Sequence, residues 1–240
     1  TFALLTPVLS GGSAIGSQFQ YTVGGITTTL TYTGTALQIP LGALDTVQFK
    51  AAANVSGSFR ITVEALTIDT DPDTGVSVQY RSGKATLTNL VIEPVADKVT
   101  LAVDAPAVGK EDEPIPLIIR PSSEDPSETF TVTLSKIPDG AKIIYGGVEL
   151  TVIDGSVEIA NFDAKTTLTL TPTFNSNKDF MLGVSAVSVD TSVTLTVTSA
   201  PTELDMMIDV RGVADEVILD VKTLKTSEAV VDGNNRQISL

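Results

Sequence analysis

The chain has 240 residues, with 29 Asp and Glu against 15 Lys and Arg, for a net charge of −14. An acidic surface without a basic stripe repels phosphate backbones, which excludes DNA and RNA as partners. The absence of His, Cys and Trp removes thiol nucleophiles, Ser–His–Asp triads, His/Cys zinc sites, haem ligation and thiolate clusters, and no disulfide can form.

No apolar run approaches the roughly 18 residues of a membrane-spanning helix. No signal peptide is evident, and the start at Thr1 without an initiator Met suggests a piece of something longer. The residue usage is that of strands: 33 Thr and 27 Val make a quarter of the chain, and both are β-branched.

In chain order, a Thr-rich stretch runs through residues 27–35, with apolar residues alternating between the polar ones. Residues 58–65, Ser-Phe-Arg-Ile-Thr-Val-Glu-Ala, carry the one-sided alternation of a half-buried strand. The same signal returns at Phe130-Thr131-Val132-Thr133-Leu134 and at Thr166-Thr167-Leu168-Thr169-Leu170-Thr171. Turn residues separate these segments: Pro138-Asp139-Gly140, Asp154-Gly155 and Asn175-Ser176-Asn177. Many short strands with frequent turns imply a sandwich or a barrel.

Internal repetition sets the expected layout. Val95-Ala96-Asp97 is followed by Val99 and Leu101, and Val213-Ala214-Asp215 by Val217 and Leu219. Upstream, Phe59 opens a strand ending at Asp69-Thr70, as Phe180 opens one ending at Asp190-Thr191. Downstream, Ile115-Pro116-Leu117 matches Ile238-Ser239-Leu240. The expected fold is therefore all-β: tandem antiparallel Greek-key β-sandwiches, with an N-terminally incomplete repeat over 1–97, a complete one over 98–215, and opening strands of a third over 216–240.

The first sixty residues hold one acid, Asp45; beyond them the acids cluster in the gaps between strands. The clusters are Asp69, Asp71 and Asp73; Glu93 and Asp97; Glu111, Asp112 and Glu113; Glu124, Asp125 and Glu128; Asp190; and Asp215 with Glu216. Crowded carboxylates repel unless protonated or bridged by a cation, and hard oxygen ligands select Ca²⁺. Asp69-x-Asp71-x-Asp73 is not an EF-hand, because Thr74 stands where the loop needs Gly. Strand parity places Glu124, Asp125, Glu128 and Asp190 at one pole, facing Glu93 and Asp97. Glu111 and Asp112 fall at the other, facing Asp215. The candidate metal ligands are thus Asp69, Asp71, Asp73, Glu93, Asp97, Glu111, Asp112, Glu124, Asp125, Asp190 and Asp215.

The ordered series Val95-Ala96-Asp97, Glu111-Asp112-Glu113-Pro114-Ile115-Pro116-Leu117, Ser127-Glu128-Thr129-Phe130 and Ile137-Pro138-Asp139-Gly140-Ala141 resembles the immunoglobulin-like or cadherin-like tandem repeats of giant bacterial surface adhesins. These are the type I-secreted, repeats-in-toxin class. The resemblance implies a calcium-stiffened extender, extracellular on the bacterial cell surface, that projects a distal adhesive region for attachment or biofilm formation. It also implies that neighbouring repeats of the same polypeptide are the immediate partners, with a host or matrix ligand bound elsewhere and this segment monomeric. The sequence departs from the family's pattern at Asp190-Thr191-Ser192 and Asn234-Asn235, where acids would be usual. The alternative reading is a β-sandwich that itself binds a glycan, ice or a protein. An enzyme is not expected, since the paired carboxylates lie at turns rather than across a cleft.

Overall fold

The computed structural model describes residues 1–192 and 195–216. In chain order the first strands are β1 (Phe2–Leu9), β2 (Gln18–Val23), β3 (Ile26–Thr31) and β4 (Leu37–Pro40). A 3₁₀ turn over Leu41–Thr46 leads to β5 (Gln48–Lys50), β6 (Gly57–Thr70), β7 (Ser77–Arg81) and β8 (Ala85–Ile92). The β2–β3 connection is Gly24-Gly25, both at positive φ (58° and 80°). A two-residue hairpin that matches strand twist requires this conformation, which glycine adopts without steric cost. In one sheet β6 is flanked by β1 and by β7 and β8, with β4 beyond β1; in a second, β2 lies between β3 and β5.

The chain continues through β9 (Thr100–Val103), β10 (Ala107–Lys110), β11 (Ile115–Pro116), β12 (Ile119–Ser122) and β13 (Thr129–Ser135). Then come β14 (Lys142–Tyr145), β15 (Val148–Leu150), β16 (Val157–Ile159), β17 (Leu168–Thr171), β18 (Phe180–Thr191), β19 (Thr196–Thr198) and β20 (Thr202–Arg211). Three further sheets result: β10-β20-β18-β13-β16 with β19 also on β18, then β11-β17-β14-β15, and the pair β12-β9.

Alternation decides which side chains go inside, because successive strand residues point to opposite faces. Val132, Leu134, Leu168, Leu170 and Leu182 are buried, and Phe130 and Phe180 pack against the same cluster, which collects residues from Val99 to Val210. A second, smaller cluster gathers Ala3, Leu5, Phe19, Ile39 and Ile61, with Phe49 ringed by Phe19 and Phe59 at centroid distances of 5.1 Å each.

All-β holds, but tandem antiparallel Greek-key sandwiches do not describe this chain. Its five sheets interleave along the sequence, so that β14, β15 and β17 of one sheet alternate with β13, β16 and β18 of another. The largest sheet ends in a parallel pair, Ala107–Lys110 beside Ile208–Arg211, which an antiparallel Greek key lacks. The stretch between β8 and β9 is not a free linker either. Its backbone is hydrogen-bonded to Glu128, Ser188 and Asp190, while Asn54 Nδ2 donates to the Glu124 carbonyl at 3.1 Å. Separately strung immunoglobulin-like or cadherin-like repeats are therefore corrected to an interleaved all-β structure. Alternation had established which face of each strand is apolar, but it carries no information on which strand lies alongside. The expected opening strands over 216–240 lie outside the described residues, apart from Glu216.

Candidate functional site

The polar residues that matter most occupy positions where the strand pattern calls for apolar ones. On β18, Leu182, Val184 and Ala186 face the core; the next residues of the same parity are Ser188 and Asp190, 0% and 8% exposed. Before β13, Glu128 shares the parity of Phe130, Val132 and Leu134 and is 7% exposed. Asp125, in the loop that precedes β13, is 5% exposed. Two carboxylates, Glu128 and Asp190, are thus carried inward by the register that carries the core, and Asp125 is buried by its loop.

Against them lies the stretch that follows β8. Val95 N–H donates to Asp190 Oδ2 at 3.2 Å, and Asp97 N–H donates to Glu128 Oε1 at 2.6 Å. The Ser188 hydroxyl donates to the Asp97 carbonyl at 2.5 Å. Asp125 Oδ1 accepts from the Ser127 amide and hydroxyl, both at 2.7 Å, which closes an Asx turn and fixes the loop. Glu128 Oε2 is buried and has no hydrogen-bond partner. A cavity of about 410 Å³ opens here, walled in part by Phe49, Asn54, Glu93, Asp97, Asp125 and Asp190.

The electrostatics follow from burial and crowding. Burial raises the Asp97 carboxyl above its ordinary value, and the charges of Glu128, Glu124, Asp125 and Asp190 raise it further. Asp190 is raised first by burial; the Val95 amide pulls it back, and Asp125 and Glu128 push it up again. None of the ion pairs among the described residues involves these five acids. Lys50 lines the same cavity without an ion pair to any of them.

The other expected ligands are placed differently. Asp71 Oδ1 accepts from the amides of Asp73 and Thr74 at 2.8 and 2.9 Å, and these bonds lower its pKa. The acidic triplet Asp69, Asp71 and Asp73 is thus a capped hairpin turn between β6 and β7, in which the Asp71 carboxylate is taken by backbone. Glu111 Oε1 accepts from Val213 N–H at 2.6 Å, and Asp112 Oδ1 from Asn175 N–H at 2.8 Å. Glu93, Glu124 and Asp215 are exposed. Asp97, Glu124, Asp125 and Asp190 are brought together, and Glu93 shares the cavity wall; Asp69, Asp71, Asp73, Glu111, Asp112 and Asp215 lie elsewhere. No group of three or more acidic side chains among the described residues is arranged to hold a metal ion. The picture of ready-made calcium loops along an array is corrected accordingly. Glu128 and Ser188 were absent from the ligands expected from sequence, although polar residues at apolar strand positions were the available signal.

No family model matches the chain, and no curated protein matches it. With the interleaved sheets, this removes the adhesin-repeat resemblance as a basis for assigning the chain.

Proposed function

We propose that this segment is a non-catalytic spacer whose joint around Asp97 stiffens when a hard divalent cation neutralises the acids gathered there. The observation that supports the reading is Glu128: a buried carboxylate with one oxygen unpartnered, beside buried Asp125 and Asp190 and half-buried Asp97. Buried charges are ordinarily paired or bound to metal. Small side-chain movements, rather than a preformed cage, bring the oxygens into range, and Ca²⁺ tolerates irregular sets of six to eight oxygen ligands. The 93–98 stretch is tied to β18 through Val95 and Asp97, so neutralising the group holds β8 and β9 at a fixed angle. Extracellular modules bind Ca²⁺ at about 10⁻⁴–10⁻³ M; this affinity makes the joint stiff outside a cell and loose inside one.

The test is calorimetric titration, thermal unfolding and small-angle scattering of the wild type and Asp97→Asn, each with Ca²⁺, with Mg²⁺ and with chelator. Binding to the folded form alone raises its stability with the logarithm of free cation over Kd. The wild type should therefore melt higher and show a narrower spread of dimensions in Ca²⁺, and the variant should respond less. Identical heats, melting points and dimensions in all samples would refute the reading.

A further inference from the structure

β7 and β8 run one after the other down the side of β6 that β1 leaves free, so residues 77–92 form one long sheet edge. Val78, Tyr80, Ala85 and Leu87 share the inward parity of Ile61 and Val63, through the registers Asp69↔Val78, Thr67↔Tyr80, Val63↔Ala85 and Ile61↔Leu87. A bulge follows. Thr88 and Asn89 together oppose Arg60, with Asn89 at φ 65°, so Leu90 and Ile92 return to the same face opposite Phe59 and Gly57. That face is wholly apolar, yet Val78, Tyr80 and Leu87 are 68%, 75% and 57% exposed.

Among the described residues nothing pairs with the outer side of β8. In the corresponding place beside β18, β20 carries Glu203, Asp205 and Asp209, and β10 takes its outer edge. β8 has neither a charged residue nor a proline, two of the devices by which an open edge ordinarily repels a second strand. Charge then names the occupant. Residues 76–92 hold Arg81 and Lys84 and no acid, in a chain of net charge −14, and Glu93 follows directly. We propose that β8 pairs antiparallel with β8 of a second copy, about a twofold axis between Thr88 and Asn89, to give a symmetric dimer.

In this register Ala85 faces Ile92 and Leu87 faces Leu90, inner face beside inner face, and the leucines of both copies merge into one patch. The bulge is what allows it: in a regular strand those partners would have opposite parity and point to opposite faces. The same register sets Lys84 of each copy opposite Glu93 of the other, and opposite charges directly across a strand pair attract. Lys84 is 71% exposed and reaches Glu64 at 3.6 Å, a carboxylate that Arg81 also reaches at 3.5 Å. Glu64 therefore keeps a partner when Lys84 turns to the second copy. The contact is isologous, so it closes at two chains. It departs from the monomer expected of an extender and does not rest on the cation reading.

The experiment is sedimentation of the full chain in chelator, because Glu93 also borders the Asp97 cavity. The wild type should pass from monomer to dimer mass with concentration and stop there. Leu87→Asp puts a carboxylate into the shared patch, and Lys84→Glu sets like charges opposite Glu93; both side chains are exposed, so neither change disturbs a core. Each should weaken the dimer at least about tenfold, a change of about 1.4 kcal/mol. Glu93→Lys alone lowers the net negative charge, yet it should weaken the dimer too, by facing Lys84 with a lysine. Lys84→Glu combined with Glu93→Lys exchanges the charges and should restore most of the loss. A wild type that stays monomeric up to about 1 mM or grows past a dimer would overturn the proposal. So would a Leu87→Asp variant that associates as the wild type does, or a charge exchange no tighter than either single change.

Discussion

The strands β6 and β18 are the long central strands of their sheets, at 14 and 12 residues, yet they end in different surroundings. Along β18 every second residue from Leu182 to Asp190 is buried, and the two other sheets of this region add Ile115, Ile119, Ile143, Leu168 and Leu170 to the same cluster. Along β6, Phe59, Ile61 and Leu66 are buried, but beyond Leu66 both Thr67 and Asp69 are exposed. The same alternation therefore gives a full core in one place and a half-open one in the other. A one-sided strand specifies which face seeks cover, and the number of strands on the other layer decides whether it obtains any.

The widest separation between the two regions should come from core truncation. Leu182→Ala removes a fully buried side chain and should cost about 2–5 kcal/mol, whereas Leu87→Ala should stay within about 0.5 kcal/mol in dilute solution. Chemical denaturation of the two variants measures the gap. Equal losses would mean that Leu87 is covered in the monomer.

A smaller effect is expected from Glu128→Gln, which removes one charge from the crowded group while keeping its shape. In chelator this should raise stability by on the order of 1 kcal/mol, since a buried unpaired charge is removed. With Ca²⁺ the wild type should recover the difference. Loss of stability in chelator would show that the charge is already compensated.

Acidity provides a third comparison. An acid whose folded-state pKa lies above its unfolded value holds its proton more tightly when folded, so protonation favours the native state. Asp97 and Asp190 are raised above 3.8; in chelator, melting temperature should therefore rise as pH falls through their raised values. The charged groups around them are Glu93, Glu124, Asp125 and Glu128, with Lys50 on the same cavity wall. Asp71 and Asp104 are lowered, by backbone amides and by Arg120 respectively. Their contribution is complete above 3.8 and is lost as pH falls through the lowered values, so the trend should reverse there. Asp97→Asn with Asp190→Asn should flatten the rise and leave the acid loss in place.

The smallest change belongs to Asp71→Ala. It removes the two amide bonds that cap the β6–β7 turn and should speed hydrogen exchange in Ser77–Arg81 while leaving β18 protected. A matching change in β18 would show that the two regions unfold as one.

The legible part of this protein was local. Period-2 alternation marks Phe130, Val132, Leu134, Leu168, Leu170, Phe180 and Leu182 as inward-facing; five of the seven are buried, and Phe130 and Phe180 are half-buried against the same cluster. The same parity, followed one residue pair further, would have marked Glu128 and Ser188 as inward-facing polar groups. Counting acids per loop gave more weight to Asp69-x-Asp71-x-Asp73, where the structure spends the central carboxylate on its own turn. Composition cannot distinguish an acid that caps backbone from one left without a partner.

Sequence by itself determined that the chain is all-β, which residues of each strand are apolar, and which chemistries the missing His and Cys exclude. Strand parity had already set Glu124, Asp125, Glu128 and Asp190 opposite Asp97; only the tertiary structure decided that five sheets interleave, that β10 lies parallel to β20, and that one Glu128 oxygen is buried without a partner while Asp71 and Glu111 accept from backbone amides. The physical reason is range. Side-chain alternation is enforced by the geometry of neighbouring peptide units, whereas strand partners and the hydrogen bonds each carboxylate accepts depend on contacts between residues far apart in sequence.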